Sequence, residues 1–343
     1  ENGKLGRPVK GATLIGAGVP LLEGLGSLGD DAASPRVKAV VSDLIQRIQA
    51  GSSLQGAMAA ESGSFPELYQ AGVGVGEATG KLENVLNGLA SILEWQLDLK
   101  LKVREAMIYP VLLAVAMTSV IILLVVKVMP MFKTVFTAVG VSLPLPTRVV
   151  LAISELLQQT WPFLGGVVVL LILLVTAAPR TARGRFILDS VKLRLPLFGP
   201  LLQKIVLSRF CRSLALCLNT GMNLIDSLRL SMKAAGNAKV LRAVERAETA
   251  IRTGQGLRDA LAQTGAFPPP VLRMVAVGEQ SGKLSQCLEK INQFYDREIP
   301  ATIRMVFALF EPIMIVCLGV VVGGIALSVF LPLVQLTQAL GGP

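Results

Sequence analysis

The sequence predicts an all-α, polytopic membrane protein with two homologous cytoplasmic helical-bundle domains and three transmembrane helices. Three observations carry this prediction. Mean hydropathy is +0.61 with 16% charged residues, outside the composition of ordinary soluble domains. Three apolar stretches, Met107–Met129, Trp161–Ala178 and Ile313–Leu336, approach or exceed the ~20 residues a helix needs to cross a bilayer. Finally, one text is written twice: GVPLLEGL at Gly18–Leu25 returns as GMNLIDSL at Gly221–Leu228, and GEATGKL at Gly76–Leu82 returns as GEQSGKL at Gly278–Leu284.

The copies stand 203 positions apart at Gly18/Gly221 and Gly51/Gly254, and 202 apart at Phe65/Phe267, Gly76/Gly278, Pro110/Pro312 and Pro130/Pro332. One single-residue deletion therefore separates them. A repeat this long is a duplicated domain, well beyond the period of a solenoid. The first copy, residues 1–106, reads as a cytoplasmic helical domain. Val37, Val40, Val41, Leu44, Ile45 and Ile48 recur at i, i+3, i+4, i+7, i+8 and i+11, one apolar face of a helix. Its counterpart keeps Val240, Val244 and Ile251 but has Glu248 in place of Ile45. Gly51 and Gly254 stop these helices, FPEL at Phe65 and FPPP at Phe267 break the chain again, and Leu82–Glu105 and Leu284–Arg304 read as long helices running toward the membrane.

Transmembrane helices are expected at 107–129, 161–178 and 307–336, with a periplasmic loop at 130–160, a second cytoplasmic domain at 179–306 and a periplasmic tail at 337–343. Lys127 can snorkel from the end of the first span. Basic residues set the orientation: Lys100, Lys102 and Arg104 precede the first span, and Arg180, Arg183, Arg185, Lys192 and Arg194 follow the second. The loop between those spans has only Lys133 and Arg148, and no charge follows Leu336. The middle span is the element the repeat does not contain. Two units, each a domain followed by one span, would otherwise put their domains on opposite sides; the extra span returns both to the cytoplasm. The chain starts at Glu1, and nothing there resembles a cleavable leader.

Composition excludes several chemistries. Histidine is absent, removing His-based triads, histidine metal ligands and the usual near-neutral proton shuttle. The four cysteines, Cys211, Cys217, Cys287 and Cys317, show no CxxC spacing, giving disulfide or zinc readings little support. No catalytic constellation, cofactor site or metal site is expected. GEATGKL and GEQSGKL invite comparison with the phosphate-binding loop GxxxxGK[ST]. Yet Val75 and Val277 stand where its first glycine belongs, Leu82 and Leu284 replace the magnesium-binding hydroxyl, and no strand precedes either motif. Two readings remain. The motif is a turn in which Gly80 and Gly282 stop one helix and Leu82 and Leu284 re-enter the core, or it is a partner surface presenting Glu77 and Glu279.

Glu311, beside Pro312 at the mouth of the third span, lies either at headgroup level or in a buried pair. Gly319 and Gly323 form a GxxxG that permits close helix approach, within the chain or between copies. Charge is divided unevenly: residues 1–106 carry 10 basic and 12 acidic side chains, residues 179–306 carry 20 and 9. Arg180–Lys204, with Phe186, Ile187, Val191 and Leu195 interleaved, reads as a basic amphipathic segment on an anionic leaflet, its lipid-facing cations being Arg180, Arg183, Arg185, Lys192 and Arg194. An ordinary solvated face explains part of the excess. Few aromatics and a membrane tether argue against nucleic acid.

The duplicated GxPLxExL, GExxGxL and Pro-bounded span, with PLFGPLLQK and RFCRSLALCLNTG ahead of the second copy, resemble the type II secretion protein F family. That family includes inner-membrane platform proteins of type IV pili, and PLFGP and EPIMIVCLGVVVGG lie closer to the pilus branch. The resemblance covers about Gly16–Leu340. It implies a non-enzymatic, homo-oligomeric platform in the bacterial inner membrane, coupling a cytoplasmic hexameric ATPase to pilin subunits and contacting inner-membrane alignment proteins. The sequence departs from the family at its start, where Pro8 and Gly11 interrupt the counterpart of the helix at Arg209–Asn219, and the resemblance also implies a further N-terminal segment that the opening residues do not show. On this reading Glu77, Gly80, Glu279, Gly282, Glu311 and Pro312 are partner contacts, and Glu77→Ala or Glu279→Ala weakens binding to the motor while sparing the fold. The alternative is a transporter or channel built from a duplicated unit, which would place ionisable or broken helices at the midplane; these spans carry only the edge charges Lys127 and Glu311.

Overall fold

The computed structural model describes residues 20–30, 32, 34–61, 63–124, 127, 181–195 and 197–340. The middle span, the loop at 130–160 and Arg180 lie outside these residues. Every regular element among them is an α-helix, as the sequence predicts. The first copy supplies α1 (Leu21–Asp30), α2 (Pro35–Gln49), α3 (Leu54–Ala60), α4 (Glu67–Thr79) and α5 (Leu82–Leu123). Then come α6 (Ala182–Arg194) and the second copy: α7 (Phe198–Asn219), α8 (Leu224–Ala235), α9 (Ala238–Arg252), α10 (Leu257–Gln263), α11 (Pro269–Ser281), α12 (Leu284–Ala308) and α13 (Phe310–Leu340).

Local chemistry sets these boundaries. Pro35 opens α2, where its missing N–H costs nothing. Asn223 caps α8, its side-chain oxygen accepting from Asp226 N at 2.9 Å, and Asn237 caps α9 through Lys239 N and Val240 N. The expected stripe of α2 turns inward at Val41 and Leu44. In α9 Glu248 is 8% exposed at the position of Ile45. It is accommodated because Arg229 and Arg252 donate to its Oε1 at 3.0 and 2.9 Å. The copies differ at the membrane approach. α5 runs unbroken through Pro110, whereas the equivalent path stops at Ala308 and resumes as α13. Pro110 and Pro312 are repeat equivalents and both lack the helical N–H, so the proline alone does not account for this difference.

Residues 1–102 and 182–302 form one compact unit, and residues 103–181 with 303–343 a second. The first unit contains both repeat copies packed on each other. Leu68 and Ile92 of the first copy share a buried cluster with Cys217 and Leu230 of the second. Gly88 of α5 lies against Leu216 of α7, so closely that a Cβ there would come within 2.3 Å of Leu216 Cδ1. Phe210 of α7 covers Phe267 at 5.4 Å between ring centres. In the first copy Phe65, the counterpart of Phe267, lines a groove of about 400 Å³ with Leu25, Leu44, Met58 and Leu86.

In the second unit, apolar side chains of α5 and α13 face outward, among them Leu112, Val115, Val316 and Val320, all at least half exposed. The long helices contain windows of mean hydropathy 2.3 (within Leu82–Leu123) and 2.5 (within Leu284–Gly324), apolar and long enough to cross a membrane. Tyr109 donates to Glu311 Oε1 at 3.2 Å, and these residues are repeat equivalents 202 positions apart.

Candidate functional site: the paired GExxGxL motifs and the seam between copies

The two GExxGxL motifs adopt the same geometry. Gly80 and Gly282 cap α4 and α11 in the left-handed region, at φ +67° and +69°, a conformation that a Cβ disfavours. Lys81 N donates back to Gly76 O at 2.9 Å, so this amide is spent closing its own helix rather than free for a phosphate. The leading glycine has a different task. A Cβ on Gly76 would lie 3.0 Å from Leu82 Cα, and one on Gly278 would lie 2.8 Å from Leu284 Cα. Each motif thus folds one helix back against the start of the next at backbone contact distance.

The glutamates reach across to a neighbouring helix. Glu77 Oε1 accepts from Leu54 N at 2.6 Å and Oε2 from Gln55 N at 3.0 Å. Glu279 repeats this with Leu257 N at 2.6 Å and Arg258 N at 3.0 Å. Each carboxylate therefore caps the N-terminus of the short helix before it, satisfying two donors that would otherwise have no partner and complementing the helix dipole. α3 has a second cap, Ser53 Oγ accepting from Gly56 N at 3.0 Å. α10 begins at Gly256, which has no side chain to cap with. From the sequence these carboxylates read only as groups offered to a partner, in the second of the two readings of the motif. Their partners lie 21 to 23 residues upstream, a pairing no local rule reveals.

The seam between copies carries the remaining concentration of polar chemistry. Lys233 of α8 pairs with Glu67 of α4 at 2.7 Å. Arg212 of α7 lies over the Trp95 ring of α5, 4.8 Å from its centre, and donates to Asp296 of α12 at 2.6 Å. Arg209, Arg212, Lys233, Glu67, Tyr69 and Trp95 border a cavity of about 420 Å³. Neither arginine was singled out in the sequence, although both sit in RFCRSLALCLNTG; the usable signal is two cations in a helix otherwise apolar on that face. Burial pushes the Cys211 thiol up to about 12 and Cys217 to about 11. Among the described residues no group of three or more Cys, Asp or Glu is placed to hold a metal.

Ile187 and Val191 on α6 and Leu195 just past its end are exposed at 60%, 52% and 44%, with exposed Lys192 between them. The opposite side of this helix docks on α9, where Arg242 covers the Phe186 ring at 4.0 Å and Asp189 accepts from Ala238 N at 2.9 Å. The side chains of Arg183, Arg185 and Arg194 lie outside the described residues. Lys204, at the end of the predicted basic segment, is bound to Glu298 and Thr302. Gly319 and Gly323 have no described atom within 4 Å of a notional Cβ.

Comparison with known proteins follows the repeat. The family described as Type II secretion system (T2SS), protein F, matches residues 12–130 and again 210–332, once per copy, and leaves out the predicted middle span and α6. A type IV pilus assembly protein PilC of Thermus thermophilus is 38% identical over 335 residues, 96% of this chain and 81% of that protein. PilC of Myxococcus xanthus is 35% identical, covering 96% of this chain and 79% of its own length. A type II secretion system protein F of Pseudomonas aeruginosa is 33% identical, with 96% and 82% covered. With both copies matched in order and relatives aligned along nearly its whole length, this chain belongs to the type II secretion system protein F family.

Proposed function

We propose that this chain is a non-enzymatic inner-membrane platform of a type IV pilus or type II secretion machine. It couples a cytoplasmic hexameric ATPase to the assembly or disassembly of pilin subunits. The observation that carries the reading is the family match across both copies, taken with relatives named for pilus assembly and for type II secretion. The packing of both copies into one unit supports the same-side topology read from the basic loops, because domains on opposite faces of a membrane could not share a core. In this arrangement the fused copies receive the motor's movement as one body, and the spans convey it to pilin helices. The exposed face of α6, with its apolar stripe and Lys192, rests on anionic lipid. Among the described residues nothing covers the Gly319–Gly323 face, and on this reading it takes a further helix, from a second copy of the chain or from an alignment protein.

A strain lacking this chain is expected to lose surface filaments or type II substrates and to regain them on complementation. A deletion strain with normal filaments and normal secretion refutes the proposal, and so does ATP hydrolysis by the purified chain alone. Reporter fusions at Gly51 and Gly254, one in each copy, are expected to score as cytoplasmic; a periplasmic signal from either refutes the same-side topology.

A further inference from the structure

The seam between the copies holds a cation that nothing in the described structure neutralises. Arg209 stands on α7 between the buried residues Ser208 and Phe210. Its Nε is shut off from solvent and has no hydrogen-bond partner. Burial alone acts on its ionisation, lowering its pKa, with no neighbouring acid to offset that effect. A buried guanidinium N–H without an acceptor is unfavourable, and native structures rarely keep one without an ion or ligand to satisfy it. One helical turn on, Arg212 also has a buried Nε with no partner, while its terminal nitrogen binds Asp296. Both arginines border the 420 Å³ cavity, together with Lys233. Of these three cations Lys233 is paired with Glu67 and Arg212 with Asp296, which leaves Arg209 as the one without an acid among the described residues.

Arg209 and Arg212 both line this space, and guanidinium donors suit an oxyanion because their fork matches its acceptor geometry. The volume exceeds what an inorganic ion needs and falls in the range of small-ligand sites. Tyr69 and Trp95 of the first copy supply aromatic walls opposite cations of the second. We infer that this cavity binds a small phosphate-bearing anion, held by Arg209 and Arg212 across the seam between the two repeats. Such a ligand touches both copies, so its occupancy strengthens their association by mass action and sets how rigidly they move as one body. The inference concerns a site that the platform function does not require, and it stands or falls independently of that function.

The test uses the full chain in detergent micelles, with inorganic phosphate and adenosine monophosphate as separate probes at constant ionic strength set by chloride. Calorimetric titration is expected to show one site per chain, with a thermal midpoint raised by about 5 °C at a hundredfold excess over Kd. AMP binding at least tenfold tighter than phosphate assigns the site to a nucleotide-like ligand; equal affinities assign it to the phosphate group alone. Arg209→Gln is expected to weaken binding at least tenfold, since a charge-assisted contact is lost. Arg209→Met keeps the aliphatic packing and is expected to be at least as stable as the parent without anion, yet unresponsive to phosphate. Lys233→Gln changes an exposed side chain, so it preserves the fold, and weakens binding about threefold. Absence of binding by both probes beyond the chloride control overturns the inference. So does an unchanged Kd in Arg209→Met or in Lys233→Gln.

Discussion

Replacing Glu279 by alanine removes both acceptors from the first turn of α10. The two bonds, at 2.6 and 3.0 Å to Leu257 N and Arg258 N, are charge-assisted, a class worth about 1.5–3 kcal/mol each when well shielded. Glu279 is exposed, and screening reduces that figure, so the pair together is expected to contribute about 2 kcal/mol. Nothing takes over the capping, because Gly256 offers no side chain. In native-state hydrogen exchange, amides Leu257 and Arg258 are therefore expected to exchange about 30-fold faster in Glu279→Ala, the factor that 2 kcal/mol implies. Glu77→Ala breaks the matching bonds on α3, but Ser53 still serves Gly56 N, so about half that loss is expected. Unchanged exchange at Leu257 and Arg258 refutes the capping role. If motor binding nevertheless falls in that variant, the carboxylate belongs to the partner surface anticipated from the sequence.

Other consequences follow from single contacts. Gly278→Ala places a methyl 2.8 Å from Leu284 Cα and is expected to cost about 1–3 kcal/mol, read as a lower thermal midpoint with the same helical content. Glu248→Gln is expected to cost about 1 kcal/mol near neutral pH, since its arginine partners are half exposed. Burial pushes the Glu248 pKa up, but hydrogen bonds from Arg252 and Arg229 lower it further, leaving it below its ordinary 4.5. The stability it contributes is thus complete above that value and fades as pH falls through the lowered one, so the gap between parent and Glu248→Gln closes only below about pH 4.5. Glu248→Ile, which restores the residue of the first copy, is expected to match or exceed the parent in stability; a loss above 2 kcal/mol would show that the ion pair is needed. Thiol labelling at pH 8 is expected to leave Cys211 and Cys217 unmodified in the folded chain and to reach them only on denaturation, because both are buried with raised pKa values; prompt modification of either in the native protein would contradict the packing of α7.

Helix positions, the left-handed stops at Gly80 and Gly282, the apolar spans and the duplication were all legible in the sequence. Each depends on residues close together in the chain or on direct comparison of two copies. The work of GExxGxL was only half legible. Its final glycine and leucine act locally, as the turn reading expected. Its first glycine acts through contact with the next helix, and its glutamate through amides one helix upstream. Glu248 followed the same course: a break in an apolar stripe marked it as unusual, but only the approach of Arg229 from α8 explains how it is tolerated.

The sequence by itself determined an all-helical membrane chain, its repeat and its family, because hydropathy, turn chemistry and self-similarity are properties of residue order. Tertiary structure decided that the copies are one unit rather than two. Leu216 packs on Gly88, Lys233 pairs with Glu67, and Arg212 lies over Trp95. These pairs are far apart in the chain and unlike one another in the two copies. Their association depends on burying complementary faces, and complementarity between surfaces is not written in the periodicity of either one.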